Sequence, residues 1–384
     1  MKKYIRVFVL SIFFSPFALQ AQTQAVTVFK SGEDGYKSFR IPAMISLPDG
    51  NLLAFAEGRV NGGADFGHVN IVMKTSMDKG KTWSALQIVA SNGKLQAGNA
   101  APVVDLSDPH YSKGRIFLFY NTGNNNEGQI RKRNGYREVW YITSVDNGKT
   151  WSVPTNITNE VSEIDQPEIN AAWNHPEDWR GYANTPGHAM QLQTGKYKGR
   201  IYVAANHSEG APQKDFTDYV AHGYFTDDHG KTFHISNDHP FRGSNESTAA
   251  ELSGGRVMMN SRNQQGNVLQ RIVAISANGG ATWDTAYYDN QLPDPVCEGS
   301  VLTLQNKKSG NTLAFSNCAS AHDRDSLTLR ISYDDGKTWK KSFLVEAKDC
   351  GYSDIAEADK NTVGVLYEAD GYRKIVFKAV NWKP

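Results

Sequence analysis

Four arginines and three other titratable residues sit in short motifs that could do chemistry. The arginines are Arg40 in Phe-Arg-Ile-Pro, Arg59 in Ala-Glu-Gly-Arg, Arg262 in Asn-Ser-Arg-Asn and Arg324 in His-Asp-Arg. The others are Asp65 in Gly-Gly-Ala-Asp-Phe-Gly, Glu246 in Asn-Glu-Ser-Thr and Tyr352 in Gly-Tyr-Ser-Asp. A guanidinium is a planar fork that grips a carboxylate through two parallel hydrogen bonds. Several around one pocket would hold an anion tightly, and carboxylate, phosphate or sulfate would serve. Alone, each arginine is a solvated surface residue, Tyr352 a core tyrosine and Asp65 a turn residue. Everything depends on whether the fold gathers them.

Composition narrows the fold before any element is drawn. The chain has 384 residues with a formal charge of +1, so it lacks the basic footprint of a nucleic-acid or anionic-membrane binder. Its 34 glycines, 17 tyrosines, 17 phenylalanines and 8 tryptophans favour short strands joined by tight turns. Residues 1–21 read as a secretory signal peptide: Lys2, Lys3 and Arg6, then the apolar run Val7 to Leu19, then Ala21. The run is shorter than the ~20 residues a spanning helix needs. Export and no membrane span are therefore expected, and residues 22–384 are expected to form one domain with a charge of −2. Cys297, Cys318 and Cys350 are an odd set without zinc-type spacing. Cys297 and Cys318 flank one hairpin roughly symmetrically, which leaves open a bond across it.

Two repeats define the elements that must position the candidate residues. An octapeptide occurs as Ser76-Met-Asp78-Lys-Gly80-Lys-Thr82-Trp83, again from Ser144 to Trp151, and again from Ser332 to Trp339. Looser copies run from Thr226 to Phe233 and from Ser276 to Trp283, with Asn278 in place of the acid. Each is a turn in which a short acid or amide bonds nearby backbone N–H groups and glycine takes a positive φ. A second repeat, a turn followed by an apolar strand, begins at Gly50, Gly114, Gly199, Gly255, Gly310 and Lys360. Each strand follows another short apolar stretch, so each pair reads as a hairpin. Six units of about four strands predict an all-β fold, a six-bladed β-propeller with antiparallel four-stranded blades. The last unit lacks an octapeptide, so the N-terminal strand Val26–Phe29 is expected to complete it.

Within a blade, the start of the first strand and the end of the second share a rim. Arg40, Glu246 and Tyr352 stand at first-strand starts. Arg59, Asp65, Arg262 and Arg324 stand at or just after second-strand ends. All seven are thus expected at one mouth, with the octapeptide turns at the opposite rim.

With these motifs the chain resembles the bacterial exo-α-sialidases (neuraminidases) over essentially its whole length after residue 21. The resemblance rests on Phe-Arg-Ile-Pro, on the Ser-x-Asp-x-Gly-x-Thr-Trp boxes, and on Asp65 standing 25 residues after Arg40. It implies that Arg40, Arg262 and Arg324 bind the carboxylate of sialic acid and that Arg59 lies near its O4 hydroxyl. It implies Asp65 as acid/base, Tyr352 as nucleophile and Glu246 as the partner of Tyr352. Glu251 is the rival to Glu246, but falls at the far end of its strand. The implied activity is retaining hydrolysis of terminal sialic acids from glycoproteins, glycolipids and oligosaccharides, by a monomer without cofactor or metal. A silent sialic-acid-binding propeller needs only the arginines, so the presence of Asp65, Glu246 and Tyr352 weighs against it. A trans-sialidase or a preference for the deaminated sugar Kdn would share the same residues. Trp140, Trp173 and Trp179 either shape the acceptor side or N-acyl pocket, or pack against a blade.

Overall fold

The computed structural model describes residues 24–305 and 310–383. The expected signal peptide lies outside the described residues. Six four-stranded antiparallel blades surround a central axis. Blade I holds Ser38–Ser46, Leu52–Arg59, Val69–Ser76 and Gln87–Ala90. Blade II holds Gln96–Asp105, Arg115–Gly123, Arg137–Ser144 and Thr155–Asn156, and a single parallel pairing of Val69 with Gln96 joins it to blade I. Blade III has a split first strand, Trp179–Asn184 and Met190–Gln191, then Ile201–Glu209, Tyr219–Thr226 and His234–Ile235. Blade IV comprises Ser244–Leu252, Arg256–Asn263, Gln270–Ser276 and Thr285–Pro293, and blade V Gly299–Gln305, Thr312–Cys318, Leu327–Ser332 and Lys341–Glu346. Blade VI is Cys350–Asp359, Thr362–Ala369 and Lys374–Asn381, closed by the N-terminal strand Val26–Lys30 as expected.

The core is distributed between the blades. Among the described residues six apolar clusters form, each filling one interface between neighbouring blades. This follows from the sequence: strands buried on both faces read as continuous apolar runs, and Leu52–Arg59 is buried at every position. At the axis, buried Asp354 of blade VI accepts from Met44 N of blade I, Ser300 Oγ of blade V and pairs with His188 Nδ1 of blade III, each at 2.7 Å. One carboxylate therefore ties four blades.

The octapeptide turns join third to fourth strands and lie at the rim away from the mouth. Asp78 accepts from Thr82 N at 2.8 Å and Thr82 Oγ1 at 2.7 Å, while Ser76 Oγ caps Gly80 N at 2.8 Å. In the Asn278 copy the amide reverses one role and donates to Thr282 Oγ1 at 2.8 Å. Gly80 has φ +86°, and a Cβ there would lie 2.0 Å from the Phe377 ring of blade VI.

Three tryptophans pack as structural residues. Trp140 lies within a blade II strand and donates to Thr122 Oγ1 at 3.1 Å. Trp173 donates to Asn159 Oδ1 at 2.9 Å, and Trp179 stacks on His207 with centroids 3.6 Å apart. None lines the mouth cavity. The bond left open between Cys297 and Cys318 does not form. Cys318 bonds Cys350 instead, and Cys297 is a buried free thiol. Sequence symmetry about a hairpin suggests a partner within one blade, whereas the facing blade brings Cys350 to 6.5 Å from Cys318, Cα to Cα. No helix of the described residues is long and apolar enough to cross a membrane.

Candidate active site

A bulge near the start of the first strand occurs in five of the six blades; that of blade III, between Trp179 and Tyr182, sends no residue to the mouth, and the other four do. Pairing registers shift between Arg40 and Ala43, Gly98 and Ala101, Ser244 and Ser247, and Cys350 and Ser353. A bulge bends its strand and turns a side chain out of the alternating pattern. Arg40, Asn99, Glu246 and Tyr352 all occupy these sites and line one cavity of about 300 Å³. Ile41, a β-branched residue, takes a left-handed φ of +59° at its bulge. That conformation is strained and persists only where surroundings over-determine it. Here Ile41 N is held by Glu368 Oε1 at 2.9 Å.

All seven candidate residues line this cavity. Tyr352 Oη donates to Glu246 Oε1 at 2.6 Å. Arg262 Nη1 bridges the pair, 2.8 Å from Glu246 Oε2 and 2.9 Å from Tyr352 Oη. Arg40 forks onto Glu368 with bonds of 2.6 and 3.2 Å. Arg324 donates to Val296 O at 2.8 Å and to Tyr372 Oη at 3.3 Å. Arg59 is clamped by Glu57 Oε2 at 2.7 Å and reaches Asp65 Oδ1 at 2.8 Å. Asp65 is the exposed member, with 80% of its side chain accessible on a glycine-rich loop. Glu251, the rival to Glu246, instead caps Gln193 N and Thr194 N at 2.8 Å, away from the mouth.

The electrostatics set a neutral phenol among permanent cations. Burial, and then the Glu246 carboxylate, push the Tyr352 phenol well above the usual tyrosine range. Burial works against the charges of Arg40 and Arg262, but Glu368 in the first case and Tyr352 with Glu246 in the second more than offset it. Tyr352 therefore rests protonated, hydrogen-bonded to a base and flanked by three guanidinium groups.

Glu368 and Glu57 were not found from the sequence. Glu368 is fully buried and accepts from Arg40, Ile41 N and Tyr352 N, so it orients both an arginine and the tyrosine strand. It stands at the end of a second strand, as Arg59 and Arg262 do, and the same rim rule applied to blade VI would have marked it. The far wall comes from blades II and III: Gln96, Asn99, Glu127, Arg137, Asn206 and Tyr219. Asp105, Asp108 and His229 place possible ligand atoms within 4.8 Å of one another, at the opposite rim and beside Arg115.

Fold and site together define a propeller whose mouth gathers four arginines beside a tyrosine–carboxylate pair. Residues 50–365 match the family model of the BNR repeat-like domain. The sialidase of Micromonospora viridifaciens is 32% identical over 88% of this chain, which spans about half, 51%, of that relative's length. An exo-alpha-sialidase of Aspergillus fumigatus is 29% identical over 91% of this chain and 84% of the relative. Among solved structures, the Hadza microbial sialidase Hz136 superposes with a TM-score of 0.77 at 27% identity, covering 93% of this chain and 68% of its own. The chain belongs to the BNR repeat-like family and, within it, to the sialidases.

Proposed function

We propose that the protein is a retaining exo-α-sialidase acting through a covalent sialyl-tyrosine intermediate. The observation that carries this reading is the 2.6 Å bond from Tyr352 Oη to Glu246, bridged by Arg262. A hydroxyl of pKa ~10 needs a base to become nucleophilic at neutral pH, and Glu246 is within proton-transfer distance.

The substrate explains why the nucleophile is a phenol. Sialic acid carries a carboxylate on its anomeric carbon, and an attacking Asp or Glu anion would be repelled by it. Sialidases are a general exception to the two-carboxylate scheme of glycosidases. Arg40, Arg262 and Arg324 take the substrate carboxylate. Tyr352 Oη attacks the anomeric carbon as Glu246 accepts its proton, and Asp65 protonates the departing glycosidic oxygen. Asp65 then removes a proton from water, which attacks the same carbon. Glu246 returns its proton to Tyr352, and the sugar leaves with retained configuration. We further read residues 1–21 as an export signal that delivers the enzyme to sialylated glycoproteins, glycolipids and oligosaccharides outside the cytoplasm.

Proton NMR of incubations with α2,3- and α2,6-sialyllactose tests this. Release of sialic acid as the α-anomer is expected. No release, or first appearance of the β-anomer, would overturn the mechanism.

A further inference from the structure

We propose that the Cys318–Cys350 disulfide is a positioning cross-link of the active site, holding the loop that carries Arg324 against the strand that carries Tyr352. Cys318 is the last residue of the second strand of blade V, and Cys350 opens the first strand of blade VI. Their Cα atoms are 6.5 Å apart, within disulfide reach. The two strands belong to separate sheets, so the bond is a covalent tie between blades at the mouth.

Residues 319–326 leave Cys318 and return to the third strand of blade V. Ala319 N closes the loop on Asp325 O and Ser326 O, both at 3.2 Å. The loop also meets blade VI through Cys350 N, which donates to Arg324 O at 3.0 Å. Cys350 thus receives both a sulfur bond from the foot of the loop and a backbone bond from the arginine itself. Residues 321–323 are exposed or half-buried, and little apolar packing holds the loop in place.

Tyr352, two residues beyond Cys350, has independent anchors. Glu368 holds its N–H at 3.0 Å, and Glu246 and Arg262 hold its hydroxyl. Arg324 keeps its side-chain bonds to Val296 O and Tyr372 Oη, but its backbone is tied to blade VI through Cys350. Loss of the cross-link therefore loosens the Arg324 loop more than Tyr352. Substrate carboxylate binding is expected to suffer while the chemical step is spared.

The third thiol does not compete for the bond. Cys297 belongs to the same apolar cluster, but burial pushes its thiol up to about 12, and the thiolate is the exchanging species. Forming the cross-link joins the two sulfurs and passes two electrons and two protons to a protein or small-molecule disulfide, which becomes two thiols.

The kinetic part rests on the proposed function; the thiol count and the exchange measurement do not. Alkylation of the unreduced, denatured protein is expected to label Cys297 alone, and labelling of all three cysteines would overturn the proposal. Cys318→Ala with Cys350→Ala, assayed well below its melting temperature, is expected to raise KM about tenfold with kcat within about twofold. In an Arg324→Ala background the same pair is expected to change nothing further. An equal effect in both backgrounds, or a fall in kcat alone, would mean a merely structural bond. Amide hydrogen exchange on the wild type with and without a dithiol reductant covers failure of the variant to fold. Faster exchange in 319–326 but not in 352–356 supports the proposal, and uniform or unchanged exchange counts against it. A wild type inactive on every sialoside would instead sink the proposed function.

Discussion

The Tyr352 hydroxyl touches a carboxylate and a guanidinium at once, and in the proposed mechanism this contact makes a poor nucleophile usable. Its pKa is raised by burial, so the phenolate is not the resting state. In that mechanism, proton transfer to Glu246 accompanies attack. Tyr352→Phe is expected to lower kcat/KM about a thousandfold on an aryl sialoside, within the usual range for a lost nucleophile or proton transfer. Full activity in that variant would end the tyrosine mechanism. Arg324→Ala is expected to act mainly on KM, by about ten- to a hundredfold, the cost of one charge-assisted hydrogen-bond partner. Steady-state kinetics separate the two effects. At this scale the sequence exposed the seven candidate residues that line the mouth, because each sits in a distinctive short motif. It hid Glu368, whose partners Arg40 and Ile41 lie more than three hundred positions away and are joined to it only by the closed ring.

Two kinds of local device govern the elements, and they were not equally legible. The box turns were readable because their characteristic bonds each join residues no more than four apart; Asp334 receives Thr338 N at 2.9 Å and Ser332 Oγ at 2.9 Å. Asp334→Ala is expected to lower the melting temperature by about 2 °C and leave kcat unchanged, since the turn is far from the mouth. Calorimetry and one assay check both halves; a drop in kcat without a drop in stability would contradict the structural assignment. The bulges were not readable. A bulge is a mismatch between two strands, and neither strand alone records it. Sequence reasoning could place Arg40, Glu246 and Tyr352 at strand starts, but not show why they point inward.

For the whole molecule, ring closure is the controlling event. Phe29 of the N-terminal strand is buried, lies 5.4 Å from the Phe39 ring of blade I, and fills the VI–I interface. Phe29→Ala is expected to cost about 3–5 kcal/mol of stability, measured by denaturant unfolding, with near-normal kinetics at 25 °C. A cost under ~1 kcal/mol would mean that this strand does not close the ring. Acid should also unfold the protein earlier than its carboxylates alone require. Burial lowers His222 to about 3 and His239 to about 4, below the ~6.5 of an unfolded histidine. Between those values the unfolded chain binds more protons, so stability is full above pH ~6.5 and falls as the pH drops toward 4 and then 3. A melting temperature that stays flat from pH 7 to 4.5 would contradict this. The sequence by itself determined the number of blades, the two rims and the residues that share the mouth. Those follow from hydrogen bonds and apolar periodicity within a few tens of residues. Only the tertiary structure decided which groups touch: Tyr352 with Glu246, Arg40 with Glu368, and Cys318 with Cys350 rather than Cys297. Such partners are chosen by bulges, interface packing and the meeting of blades across the ring, and no short stretch of chain carries that information.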